Sequence, residues 1–306
     1  MLDYNALVAV SAVIREGSFE GAARKLNITA SAVSQRIRGY EDRLGALLVI
    51  RGQPCRPTDL GQALVTHLDK VCLLEAEIPH LSHASGFLLQ SEITLRIAVN
   101  ADSLATWFPE AISRFTTETA ICLDLLVEDE TCTADRLRAG EVTAAITAQT
   151  EPIPGYKSVH LGKMQYVACA TPDFAASYFS NGGTVAEFRD APCICFDRDD
   201  ALEARWLYDL HKTALPSRIH YIPSTQGFLD FTLKNVGWGL QPLALVDKYL
   251  SQGNLIEIVP DNRLAVDLHW VIPRMNSKLL NDLTIHLKNE CVKHFWFDRS
   301  VGNYTV

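Results

Sequence analysis

The chain is predicted to be of mixed class: an all-α head with a small hairpin, one long connecting helix, and an α/β body. Three observations carry this. Residues 1–57 contain short apolar periods of helical spacing, each bounded by capping residues. From 58 to about 88 apolar residues recur every three or four positions, and from 93 onward alternating apolar runs are interleaved with helical stretches. With 306 residues, 48% hydrophobic and 21% charged, the chain can build two or three cores of about 100 to 200 residues each, and disorder is excluded. No uninterrupted apolar run approaches the roughly 18 to 20 residues of a bilayer span. Asp3 stands where a signal peptide would carry positive charge, so neither a membrane nor an exported protein is expected and the cytoplasm is the expected location.

In the head, Asp3 can cap a helix to about Arg15, with Leu7, Val10 and Ile14 on one face and Gly17 ending it. Ser18 can cap a second, FEGAARKL, whose Ala22 and Ala23 let another helix cross closely. Thr29 can cap a third, ASAVSQRIRGYEDRL, which Gly45 terminates. On the third, Val33, Ile37, Tyr40 and Leu44 share a packing stripe, while Ser31, Ser34, Gln35 and Arg38 share a polar one. LLVIR, GQPC and RPT then read as a hairpin wing carrying Arg51 and Arg56.

Two helices joined by a short turn, the second with an exposed Ser/Gln/Arg face, make a helix-turn-helix unit that lays its second helix in the DNA major groove. The chemistry fits: Gln bonds adenine N6/N7, Arg bonds guanine O6/N7, and Ser reaches several base edges or a phosphate. Ser31, Ser34, Gln35 and Arg38 are therefore expected at bases, and Arg36, Arg51 and Arg56 at phosphates. The alternative is a small helical core with a solvated polar face. The motifs A-A-x-x-L, S-A-V-S-Q-x-I, E-x-x-L-G and T-x-x-G within residues 19–61 resemble the DNA-binding domain of the LysR-type transcriptional regulators. One departure is Ala30, where that family often has Gln; a methyl there can touch a thymine but cannot bond a base.

Leu60, Leu64, Leu68, Val71, Leu74, Ile78 and Leu81 form one apolar seam along roughly 36 Å of helix. The resemblance makes this the dimerisation helix, in a homodimer or homotetramer; packing against the chain's own body is the other reading. Pro79 is expected to bend or end the helix, and 83–90 to form the hinge. The domains are read as 1–57 (winged helix-turn-helix), 58–90 (linker helix and hinge) and 91–306 (regulatory).

In the body, ITLRIAV (93–99), ICLDLLV (121–127) and VTAAITA (142–148) read as strands, and the helices between them predict a largely parallel sheet. This region resembles the regulatory domain of LysR-type proteins, itself similar to periplasmic solute-binding proteins: two α/β lobes around a ligand cleft. The resemblance puts lobe one at about 91–165 and 267–306, and lobe two at about 166–266. VGWGLQPLALV (236–246) matches the family's G-x-G-hydrophobic-x-P turn. VNADSLATW, LLVEDET and LRAGEV resemble the lysine- and arginine-sensing subgroup, the ArgP/LysG type, which controls export of basic amino acids. That implies a basic amino acid as effector, double-stranded promoter DNA and RNA polymerase as partners, and no cofactor.

A ligand of that kind has a carboxylate that suits free backbone amides at helix starts, which Asn100, Asp102 and Ser103, and Ser224, Thr225 and Gln226, offer from the two lobes. Its cation needs a carboxylate, for which Asp102, Glu128, Asp129, Glu130 and Asp197 stand at expected strand ends. The subgroup often carries an acidic residue where Gln226 stands. The EDE run read alone is a solvated acidic turn, and Asp102 a helix cap.

An enzyme is not expected: H-E-x-x-H, G-x-S-x-G, a Walker loop and a dinucleotide fingerprint are all missing. A transport solute-binding protein would have no use for residues 1–57. The eight cysteines contain no C-x-x-C, and Cys193 and Cys195 are read as facing opposite sides of a strand, so neither a zinc site nor a redox dithiol is expected. The formal charge of −8 is unevenly spread: residues 1–60 hold 8 Lys and Arg against 6 Asp and Glu, leaving 20 against 30 for the rest. The acidic excess belongs to the sensing half and suits a cationic ligand.

Overall fold

The structure, a computed structural model, describes residues 1–78, 93–119, 121–127, 133–149 and 151–295. Three helices, α1 (Tyr4–Glu16), α2 (Phe19–Leu26) and α3 (Ala30–Leu44), form the head. The side chains of Asp3, Ser18 and Thr29 accept from the amides of Ala6, Gly21 and Ala32, and the helices end on Gly17, Asn27 and Gly45 in the left-handed conformation. Leu7, Val10, Ala22, Val33 and Ile37 make the common core. Strands β1 (Val49–Ile50) and β2 (Arg56–Pro57) pair antiparallel as the wing.

Helix α4 (Asp59–Glu75) follows. It begins where Thr58 Oγ1 accepts from the Gly61 amide and donates to the Leu47 carbonyl at 2.8 Å. A Cβ on Gly61 would lie 2.0 Å from the Leu48 carbonyl oxygen, which is why T-x-x-G needs its glycine. The helix ends at Glu75, short of the expected length; Pro79, Leu81 and the hinge at 83–90 lie outside the described residues. The single seam is also divided. Val65 and Leu68 enter the head core and Leu73 enters the core of the body. Leu60, Leu74 and Ile78 are exposed, and Leu64 and Val71 half-buried. At about 100° per residue Leu60, Leu64, Val71 and Leu74 share an arc of about 80°, Leu68 drifts out of it toward α1, and Ile78 lies in the turn beyond the helix.

The body runs β3 (Ile93–Val99), α5 (Ala101–Ala105), α6 (Phe108–Glu118), β4 (Ile121–Val127), α7 (Thr133–Ala139), β5 (Ala144–Thr147) and β6 (Tyr156–Ala170). There follow α8 (Pro172–Tyr178), α9 (Val185–Asp190), β7 (Cys193–Cys195), α10 (Leu202–His211), β8 (Ile219–Tyr221), α11 (Thr225–Leu233) and β9 (Gly239–Pro242). The chain closes with α12 (Leu243–Ser251), β10 (Ile256–Glu257), β11 (Arg263–Pro273) and α13 (Lys278–His294). The expected parallel pairing holds for β4, β3 and β5. It fails beyond them, because the long strands β6 and β11 pair antiparallel with each other and β11 pairs antiparallel with β5. These two strands join the lobes, and their register shifts at Leu268 and His269, opposite Gly162. Such a bulge bends a sheet locally. Strands β7 and β8 form a second small parallel sheet.

Candidate DNA-reading face and effector cavity

On α3, Val33, Ile37 and Tyr40 are buried, Ser31, Gln35, Arg36 and Arg38 are exposed, and Ser34 is half-buried. Ser31, Ser34, Gln35 and Arg38 lie within about 100° around the helix, while Arg36 is turned aside and lines a groove with Asp3, Asn5 and Arg43. The wing is fastened to this face. The Arg51 guanidinium lies 4.9 Å from the Phe19 ring centroid, and its Nη2 donates to Ser34 Oγ at 3.4 Å. Arg56 is exposed on β2. Ala30 is partly buried against the head core, so its methyl is spent on packing.

Sequence reasoning missed Glu41, whose E-x-x-L-G motif served only as a family marker. Its buried carboxylate accepts from the amides of Leu48 at 2.7 Å and Val49 at 3.2 Å, so the end of the reading helix sets the position of the wing. Charge-assisted bonds of this kind are among the stronger ones.

Between the lobes lies a cavity lined by Asp102, Phe196, Asp200, Leu202, Thr225, Phe228, Leu240, Gln241 and Pro242. Asp102 comes from α5, and its carboxylate accepts from Tyr166 Oη of β6 at 2.8 Å and from Thr225 Oγ1 of α11 at 2.9 Å. The Thr225 bond latches one lobe to the other. Burial pushes the Asp102 carboxyl above the usual carboxylate range, while the two hydroxyls act in the opposite direction. The latched cavity has room for little more than a water molecule, about 20 Å³. An amino acid does not fit it at this size.

The other expected contacts are placed differently. Ser103 is fully buried and its Oγ accepts from Trp107 Nε1 at 3.0 Å, away from the cavity. Asn100 is buried at the start of α5. Gln226 is exposed and its side-chain amide donates to Asp230. Asp197 does not line the cavity: its Oδ1 accepts from the amides of Asp199 and Asp200 and shapes the loop. Asp200, three residues on, takes the wall position. Glu128, Asp129 and Glu130 lie outside the described residues.

Behind the cavity Glu203 is buried, and its Oε1 accepts from the Leu240 amide at 3.0 Å. Burial, then the charges of Asp200 and Cys195, push its carboxyl well above the usual range. Cys193 and Cys195 face the same side of β7 with their Sγ atoms 3.9 Å apart, which corrects the reading of opposite faces: residues two apart in a strand share a face. Burial pushes the Cys193 thiol up and holds it in its unreactive protonated form. Among the described residues no group of three or more His, Cys, Asp or Glu could hold a metal ion, and no helix is long and apolar enough to cross a membrane.

Residues 4–62 match the bacterial regulatory helix-turn-helix domain of the lysR family, and residues 90–291 the LysR substrate binding domain. The chain belongs to the LysR family of transcriptional regulators. As a LysR-family member it is a DNA-binding regulator and not an enzyme. It is 40% identical over 292 residues to the HTH-type transcriptional regulator ArgP of Pseudomonas aeruginosa PAO1, covering 94% of this chain and 95% of that protein. The crystal structure of ArgP from Mycobacterium tuberculosis superposes with a TM-score of 0.80 at 33% identity, over 96% of this chain and 99% of the other. Full-length LysG from Corynebacterium glutamicum with bound effector Arg gives a TM-score of 0.70 at 33% identity, over 96% and 99% of the two chains.

Proposed function

We propose that this LysR-family regulator binds promoter DNA as a homodimer or homotetramer in the cytoplasm and takes lysine or arginine as its effector, controlling export or metabolism of basic amino acids. The observation that carries the effector reading is the cavity wall: two carboxylate residues, Asp102 and Asp200, line it from the two lobes, and the lining holds no Lys, Arg or His. Such a wall selects a cation. The arginine in the Corynebacterium glutamicum LysG structure supports the same reading. The ligand's carboxylate goes to the first amides of α11, at Thr225 and Gln226, which have no partner within the helix; of the other expected contacts, Asn100 stands at the start of α5, and Glu128 and Asp129 lie outside the described residues.

On DNA, Ser31, Ser34, Gln35 and Arg38 read bases, and Arg36, Arg51 and Arg56 hold phosphates. Residues 1–57 form the reading head, 58–90 the linker and 91–306 the sensor, with lobe two at about 166–266. Effector binding breaks the Asp102–Thr225 latch, re-seats the lobes and shifts the contacts between subunits, changing how RNA polymerase reaches the promoter. A ligand drives this only through its different affinities for the two arrangements.

Two measurements test the proposal. A melting-shift screen of the twenty amino acids should single out lysine or arginine, with a stabilisation of about 2.7 kcal/mol at 100 times the dissociation constant; no shift at millimolar levels of either defeats the effector reading. On DNA, Gln35→Ala should cost about 1 to 3 kcal/mol at the cognate site and relax sequence choice, whereas Arg51→Ala should weaken all sequences alike and flatten the salt slope. Equal losses on cognate and random DNA for Gln35→Ala take that residue out of base readout.

A further inference from the structure

The turn motif around Gly237 and Gly239 first reads as a mark of the fold, yet it delivers one buried polar side chain to the effector cavity. Gln241 is 2% exposed and lines the cavity beside Asp102 and Asp200. Its Nε2 donates to Thr232 Oγ1 at 2.9 Å, while its Oε1 meets no donor. The orientation of the amide follows from the neighbouring bond. Thr232 Oγ1 spends its single proton on the Phe228 carbonyl at 2.9 Å, so toward Gln241 it can only accept. The Gln241 nitrogen must therefore face Thr232, and the oxygen is the end left over.

A buried acceptor without a donor costs stability. Here it belongs to a side chain lining a cavity whose other polar side chains are Asp102, Asp200 and Thr225, with Phe196 and Phe228 supplying aromatic surface. Among the lining side chains the polar hydrogen donors are the Thr225 hydroxyl, committed to Asp102, and the Gln241 amide nitrogen, which bonds Thr232. The lining atom left without a partner is an acceptor, Gln241 Oε1. The ligand part that satisfies it beside two carboxylates carries several N–H donors and a positive charge, as an ammonium (three donors) or a guanidinium (five) does.

We propose that Gln241 is a specificity-determining residue of this sensor: its Oε1, with Asp200 beside it and Asp102 across the cleft, receives the cationic end of the effector and distinguishes it from an uncharged side chain of the same shape. This rests on the basic-effector reading and adds to it the residue that measures the cation. It also gives a use to the position before Pro242. Pro242 ends β9, and the β9 pairing with β6 holds Gln241 in register with Val167, so the acceptor is presented from a fixed backbone.

The test is calorimetric titration of the full-length protein with L-arginine and L-lysine and with their uncharged counterparts L-citrulline and L-norleucine. Gln241→Met keeps the length of the side chain and removes the acceptor. It should weaken arginine and lysine by about ten- to a hundredfold and lower the arginine-to-citrulline affinity ratio by about tenfold or more. Asp200→Asn, at a half-buried loop position that tolerates substitution better, should move both quantities in the same direction. Binding of both bases by Gln241→Met within about twofold of the parent overturns the inference and leaves the effector reading standing. Equal loss of charged and uncharged ligands also overturns it, by reducing Gln241 to a packing role. If the parent protein binds neither base, the effector reading falls and this inference with it.

Discussion

At the scale of single residues, the acidic groups of the sensor divide by environment more than by residue type. Glu203 is buried, and burial is the leading cause of its raised pKa. The native protein therefore holds a proton there at pH values where the unfolded chain has released it, and stability falls as pH rises from the ordinary glutamate value toward the raised one. Glu203→Gln keeps a carbonyl oxygen for the Leu240 amide and removes the titration. Melting temperatures measured between about pH 5 and pH 8 should decline less steeply for the variant than for the parent, and parallel declines would show that Glu203 does not titrate there. Asp102 contributes a slope of the same sign, so the variant's curve should be shallower without becoming flat. For binding, the same raised pKa means that a cationic effector is held less well as acidity protonates Asp102. These environments are not legible in the sequence, where Asp102 and Asp197 carry the same expectation of a ligand cation and nothing marks Asp200 or Glu203.

Elements were more legible, and for a local reason. The caps of α1, α2 and α3 and their apolar stripes are set by residues three or four positions apart, so periodicity and capping chemistry place these helices within a residue or two. The E-x-x-L-G and T-x-x-G motifs also gain physical content: Glu41 bonds the wing amides, and Gly61 lets α4 start against the Leu48 carbonyl. Gly61→Ala places a Cβ 2.0 Å from that oxygen, so wing and helix must shift apart. The expected cost is about 1 to 3 kcal/mol, seen as a lower denaturation midpoint together with weaker DNA binding. An unchanged midpoint would mean that the junction relaxes freely. The division of the α4 seam was not legible, because an apolar residue in a helix carries no mark of which of three neighbours it will meet. Leu68 turned to the head, Leu73 to the body, and Leu60, Leu74 and Ile78 to the outside.

Over the whole molecule, the proposed function puts assembly at that exposed arc and signalling at the latched cleft. Leu74 at the end of α4 and Ile78 just beyond it leave apolar side chains in solvent, and in the proposed dimer a partner helix covers them around a two-fold axis. Replacing both by Glu should lower the sedimentation mass of the protein while leaving its far-ultraviolet dichroism unchanged; an unchanged mass would move the subunit contact elsewhere. Helix α4 and the turn after it contact the body, where Gln62 Nε2 donates to the Gly140 carbonyl at 2.8 Å and the Leu279 amide donates to Glu77. Sequence alone determined the order of head, linker and body, the helices of the head with their polar reading face, and the chemical character of the effector half, because composition, caps and periodicity act within a few residues. Tertiary structure alone decided that Asp200 and not Asp197 lines the cavity, that Gln226 faces solvent, that the face shared by Cys193 and Cys195 lies in the core, and that Gln241 turns its oxygen away from Thr232. Each of these depends on separate segments meeting through β6, β7, β9 and α11, and no local pattern records such a meeting.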